Sequence, residues 1–243
     1  MPAARACLNC GSGLEAGDRF CGRCGQKAVQ GRLTVLESGR EVLHSLVHVD
    51  RSAVSLIRSM MVRPGGVARD YVEGRRKRYF GPFAFLVVVV ALTSGMIAIS
   101  GFRVVAADNP NDAADFLQHH VNLIFFAAVP VLAAVSRGLG WRDRYNYAEH
   151  LVLAAYTTAM HVLSYALIVV PVWYLFKSHA LLLERLYWAS LPLWPLYFGF
   201  ASAQFLAAPR WVGFVKGVGA VLLTEGVVVL GASALTRLFG TAF

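Results

Sequence analysis

No cysteine occurs after residue 24, and no long apolar run occurs before residue 82. The first absence confines thiol chemistry to an N-terminal head. On the second, neither a cleavable secretory leader nor a lipoprotein signal at Cys7 is expected, since both need an apolar stretch within residues 1–30. The head is therefore expected to stay on the side of the membrane where it is made. Charge is scarce too: 15% of residues are charged and 57% hydrophobic, against about 25% and about 45–50% in a soluble domain. That balance, with a mean hydropathy of +0.54, excludes an ordinary soluble globular class and points to a membrane protein. Catalytic signatures are also missing. There is no H-E-x-x-H, no G-x-S-x-G and no phosphate-cradling glycine loop with its lysine, which removes the common motif-borne chemistries.

What cysteine there is falls in one pattern. Cys7 and Cys10 form one C-x-x-C pair and Cys21 and Cys24 another, with ten residues between the pairs. Gly11 or Gly25 follows each pair and permits the tight turn that aims backbone amides at sulfur. Four thiolates at this spacing suit one closed tetrahedral Zn²⁺ site, with rubredoxin-type iron and a redox dithiol as the alternatives. A reducing cytosol disfavours disulfides and so favours a metal. A closed site has no open position for water. The ion is therefore expected to be structural and to supply folding energy that so short a segment lacks.

The net charge of +9 is unevenly spread: residues 1–81 hold 14 Lys/Arg against 7 Asp/Glu, and residues 82–243 hold 9 against 7. Arg75, Arg76, Lys77 and Arg78 stand immediately before the apolar run that opens at Pro82. Basic residues beside a span are retained on the cytoplasmic side, and Tyr79 and Phe80 suit the interfacial level. The basic face is read as meeting anionic lipid headgroups, with no nucleic acid expected. Between head and bundle, residues 42–61 carry an apolar stripe opposed by His44, Arg51, Ser55 and Arg58. Two readings stand for it: an amphipathic interfacial helix, or a helical hairpin packed on the ribbon. Thr34 and Asp50 are its candidate caps and Pro64-Gly65-Gly66 its stop. His44 and His48 are four apart, but no third metal ligand lies nearby in sequence.

Five apolar segments follow, near 82–101, 117–136, 151–176, 187–207 and 211–235. Each has the ~20 residues that cross a ~30 Å hydrocarbon core. Arg137, Arg142 and Arg144 mark an inside loop, and Asp108, Asp112 and Asp115 an outside one. Pro192 and Pro195 interrupt the fourth segment. The expected fold is an all-α transmembrane bundle of about five spans (82–243). A small four-cysteine zinc ribbon (1–30) and an interfacial segment (31–81) precede it, and the N-terminus is cytoplasmic.

Glu225 sits mid-way along the last segment. It reads either as part of a proton, ion or substrate path, or as a protonated packing device. Glu149 and His150 open the third segment. They are weak acid–base candidates, or an interfacial capping pair. His161 falls on the face of His150, about 16 Å further along the helix. It reads as a ligand or as a satisfied core histidine. Gly213 and Gly217 form one G-x-x-x-G, which permits close helix approach and leaves a homo-oligomer open.

The order CLNCG…FCGRCGQ, RLT, VDRS, VRPGG, YVEGRRKRYFGP and YAEHL resembles the family of bacterial membrane proteins known as domain of unknown function 3667. The resemblance runs from the head through the third apolar segment. It implies a cytoplasmic zinc ribbon on a small helical bundle of the inner membrane, and no assigned activity. The matching positions are Cys7, Cys10, Cys21, Cys24, Arg63, Pro64, Gly65, Gly74, Arg76, Tyr79, Pro82, Glu149 and His150. Three functional readings follow. The first is a membrane-anchored interaction, scaffold or sensing module whose ribbon docks a cytosolic protein. The second is a transporter or channel component using Glu225 and His161. The third is an enzyme holding a lipid headgroup with Glu149, His150, Arg142 and Arg144.

Overall fold

The computed structural model describes residues 5–15, 17–28, 31–34, 52–103 and 121–239. The expectations at His44, His48, Asp50, Arg51, Asp108, Asp112 and Asp115 lie outside these residues. In the head, β1 (Arg5–Ala6) pairs antiparallel with β2 (Gly13–Leu14), and a bridge joins Phe20 to Lys27. Each C-x-x-C closes a turn: Gly11 N donates to Cys7 O at 2.9 Å and Gly25 N to Cys21 O at 2.8 Å. Gly11 and Gly25 have φ of 75° and 69°, left-handed values that glycine adopts without steric cost.

Helices build the rest. α1 (Ser52–Val62) is followed at once by α2 (Pro64–Val72). Pro64 thus ends one helix, as expected, and also starts the next. At the first helical position its missing N–H is no loss and its φ is preset. α2 ends on Gly74, φ 106°, where Arg75 N donates back to Asp70 O at 2.9 Å, a Schellman-type cap. A short 3₁₀ turn, Arg76–Arg78, leads to α3 (Pro82–Ser100), which also begins on proline. α4 is Val121–Leu139 and α5 is Tyr147–Ser164. A π-helical turn at Tyr165–Val169 joins α5 to α6 (Val170–Phe176). Pro171 cannot donate into that ladder, and a widened turn is how a continuous helix absorbs the loss.

The segment 187–207 is not one helix. α7 (Ala180–Ser190) stops before Pro192, and α8 (Leu193–Phe205) restarts beyond it. Thirteen residues rise about 20 Å, short of a ~30 Å core. α9 (Arg210–Phe239) closes the chain. Three helical stretches are long and apolar enough to cross a membrane: Arg76–Ser100, Tyr147–Phe176 and Arg210–Gly231. Phe125–Leu139 is shorter among the described residues.

One apolar core unites α1 to α5 with α8 and α9, centred on the fully buried Tyr156, Phe198 and Phe205. Leu33, from the connector after the head, is buried in the same core. Close approach depends on glycine. A β-carbon at Gly65 would overlap the Ala201 carbonyl of α8, and one at Gly217 would lie 2.6 Å from Ser202 Cβ. The G-x-x-x-G of α9 is thereby occupied inside the chain.

Candidate functional site

The head gathers its four cysteines. Their sulfurs lie within 4.8 Å of one another, and Cys7–Cys24 and Cys10–Cys21 are each separated by 3.6 Å. Metal–sulfur bonds of ~2.3 Å in a tetrahedron place sulfurs ~3.8 Å apart, so this set can hold one metal ion. All four thiols are free of disulfides. The Ser12 hydroxyl lies 3.0 Å from Cys10 Sγ and 3.1 Å from Cys21 Sγ. Donation from Ser12, and from the backbone amides of Cys24 and Arg23, brings the Cys21 thiol down to about 6. The thiolate that results is the ligating form.

The head is tied to the bundle by polar side chains. Gln26, buried, donates from Nε2 to Gly74 O at 2.6 Å and accepts from Lys77 N at 3.3 Å. Arg32 grips Glu149 with both ends of its fork, at 3.1 and 3.2 Å, and also reaches the Arg144 carbonyl. The Glu149 carboxylate raises the Arg32 guanidinium above its ordinary value. Glu149 also forms a capping box with Asn146: its side chain accepts from Asn146 N at 2.6 Å, and its own N donates to Asn146 Oδ1 at 2.9 Å. Asn146 Nδ2 donates in turn to Leu33 O at 3.2 Å. Arg144 pairs with Glu73 and stacks over Tyr145. Arg32, Glu73, Arg144, Tyr145, Glu149 and Val72 line a cavity of about 220 Å³. Its two arginines face two carboxylates, so its charge is already balanced.

Below this junction Asp70 is nearly buried. It accepts from Arg63 at 3.1 Å, Arg75 at 3.0 Å and Tyr79 Oη at 2.8 Å. Arg63 also donates to Tyr79 Oη at 2.7 Å. Arg69 fans over the carbonyls of Gln204, Phe205 and Leu206 and caps the end of α8. The clamp thus binds α2 to the basic turn that leads into α3. Residues 57–93 match the family described as Protein of unknown function (DUF3667). No curated protein and no solved structure matches the chain. The DUF3667 segment runs from α1 to α3 and contains the whole Asp70 clamp. The residues Arg63, Pro64, Gly65, Gly74 and Tyr79 that carried the resemblance are, in three dimensions, a helix start, a close contact, a helix stop and two arms of that clamp.

The other expected residues separate. Of the basic run, Arg75 turns inward to Asp70, Arg76 reaches the Gly31 carbonyl at 3.4 Å, and Lys77 and Arg78 are exposed. Arg142 is exposed and lies over the Trp141 ring. His150 is fully buried, with Nδ1 2.9 Å from Ser136 Oγ and its ring edge-on to Phe205. It points away from its neighbour Glu149. His161 stacks on Trp194 at 4.5 Å and stands edge-on to Tyr165. Glu225 is exposed on α9, and Tyr165 is its electrostatic neighbour. Glu149 and His150 thus have different partners, and His161 and Glu225, which share Tyr165 as a neighbour, touch neither of them.

Sequence reasoning missed Ser12, Gln26, Asp70 and Asn146. Two of these left a signal. Asn146 stands three residues before Glu149, the spacing of a capping box. Asp70 is an acid set among Arg63, Arg69 and Arg75. Gln26 left none, because its partners lie 48 and 51 positions away; Ser12 left none either, although Cys10 and Cys21 are two and nine positions from it.

Proposed function

We propose that this protein is a multi-pass component of the bacterial inner membrane. In this reading its N-terminus is cytoplasmic, and a structural zinc ribbon clamps the juxtamembrane turn so that the assembly serves as an anchored interaction or sensing module. The observation that carries the reading is the use to which Glu149 is put. One carboxylate caps α5 and holds Arg32, so three of its roughly four lone-pair sites are already committed to structural hydrogen bonds. Five crossings accord with the alternating directions of α3, α4, α5–α6, α7–α8 and α9. The ends of α4 and α8 and the starts of α3, α5 and α9 all lie near the head, as the contacts of Arg32, Arg69 and Lys216 require. Lys77, Arg78 and Arg142 are then the groups facing anionic lipid. Leu8 and Phe20, 54% and 61% exposed on a very small head, favour a cytosolic protein as the ribbon's partner.

The test is thiol labelling in intact cells together with metal analysis. The expected result is four thiols closed to a periplasmic reagent and about one zinc per chain in the purified protein. Labelling from the periplasm, or a metal-free head, overturns the reading. A transport path through Glu225 and His161 has one observation in its favour, the position of Tyr165 beside both. A change in proton or cation flux in vesicles carrying Glu225→Gln would select it over the anchor.

A further inference from the structure

α9 has two unlike faces. Inward, Gly213 and Gly217 lie against α8, and Ala220, Val221 and Thr224 are buried. Outward, Leu222, Leu223, Val227, Val229 and Leu230 are between 51% and 70% exposed. An apolar outward face is what lipid covers at no cost, so it implies no partner by itself. Glu225 changes that. It lies on the exposed side of the helix, fifteen residues beyond Arg210 and so about 22 Å along the axis, well inside the hydrocarbon. It forms no hydrogen bond or ion pair with a described residue, although Tyr165 is an electrostatic neighbour.

A carboxyl group at that depth needs a hydrogen-bonding partner, and lipid tails supply none. In such surroundings the group is neutral and carries both a donor and an acceptor. It is therefore self-complementary: two such groups facing across a two-fold axis satisfy each other, as a closed symmetric contact requires. The neighbouring Gly226 has nothing within 4 Å of where a β-carbon would stand, so it leaves room for another helix to come close.

We propose that two copies of this chain associate in the bilayer through the outward face of α9. Glu225 of one copy is hydrogen bonded to the partner's Glu225. This goes beyond the anchoring role above and requires only that α9 crosses the membrane.

The test is the dimer fraction of fluorescently labelled full-length protein in lipid vesicles, read by single-molecule photobleaching across a range of protein-to-lipid ratios. The wild type is expected to dimerise. Glu225→Gln should dimerise too, because an amide pair also donates and accepts. Glu225→Leu should dimerise roughly tenfold more weakly, and Gly226→Leu should also weaken the contact. Leucine on a lipid-facing helix does not endanger folding, and the zinc content of each variant checks the head. A monomeric wild type that survives alkaline washing of the vesicles overturns the proposal and leaves the membrane reading intact. A protein washed off the vesicles overturns both. A dimer as strong in Glu225→Leu as in the wild type places the contact elsewhere and also overturns it. So does a monomer carrying a lipid that Glu225→Leu loses.

Discussion

The head buries Cys7, Leu14 and Cys21 in its own small core, whereas 32 described residues share the core of the bundle. Two of these three side chains are metal-ligand candidates. Apolar burial at about 25 cal/mol per Å² cannot hold so few residues, whereas a metal ion, which the four cysteines could hold, would supply what is missing. In the bundle the relation is reversed. Its helices are held by close packing at Gly65, Gly199, Gly213 and Gly217, and its polar groups gather at the head end. The junction between the two adds a third device to the burial of Leu33. It is a set of side-chain bonds, Gln26 to the basic turn and Arg32 to Glu149. Each region is stabilised by whatever its composition supplies.

The largest expected effect separates the two regions most sharply. Cys21→Ser removes one of four ligands, and with it metal-binding free energy on the order of 10 kcal/mol. Metal content should fall from about one ion per chain to none, and limited proteolysis should cut the head while the helical circular dichroism of the bundle persists. Loss of the helical signal together with the metal would show that the two regions fold as one. Gly65→Leu attacks the bundle instead. Any β-carbon there meets the Ala201 backbone, and the penalty should exceed about 4 kcal/mol. Detergent-solubilised protein should unfold at markedly lower temperature or aggregate, with metal content unchanged in whatever remains folded.

Asp70→Asn is smaller. It leaves Arg63 and Arg75 facing a neutral group, but both are about half exposed, so solvent screening holds the cost to about 2 kcal/mol. Thermal unfolding measures it, and a change confined to the DUF3667 segment in hydrogen exchange would place it. Smallest is Arg32→Ala, about 0.5–1 kcal/mol, because its side chain is 60% exposed. Hydrogen exchange should quicken at residues 31–34 and at the start of α5, and in wild type the same amides should loosen at high salt. An unchanged exchange rate would remove Arg32 from the joint.

Much of this was legible in one dimension. The C-x-x-C spacing with its glycines announced a four-sulfur site, and turns of that kind are local. The apolar segments announced helices, and three stretches have the length and composition of spans. Pro192 announced the break in the fourth segment. Pro64 announced the end of α1, which stops at Val62, but not the start of α2 on the same residue, because only the chain beyond a proline decides whether a new helix follows. The pairing of Arg75 with Asp70, five residues earlier, was not announced, since a basic residue beside a span reads first as lipid-facing.

Sequence alone determined the elements and the chemistry of the head, since both rest on residues within a few positions of each other. Folding in three dimensions decided the assignments. It spent Glu149 on a helix cap and an ion pair, parted it from His150, put Gly213 and Gly217 against α8, and left Glu225 facing outward. The physical reason is that a side chain's role depends on its partner. Arg32 finds Glu149 across 117 positions and Gln26 finds Gly74 across 48, separations at which pattern and propensity carry no information.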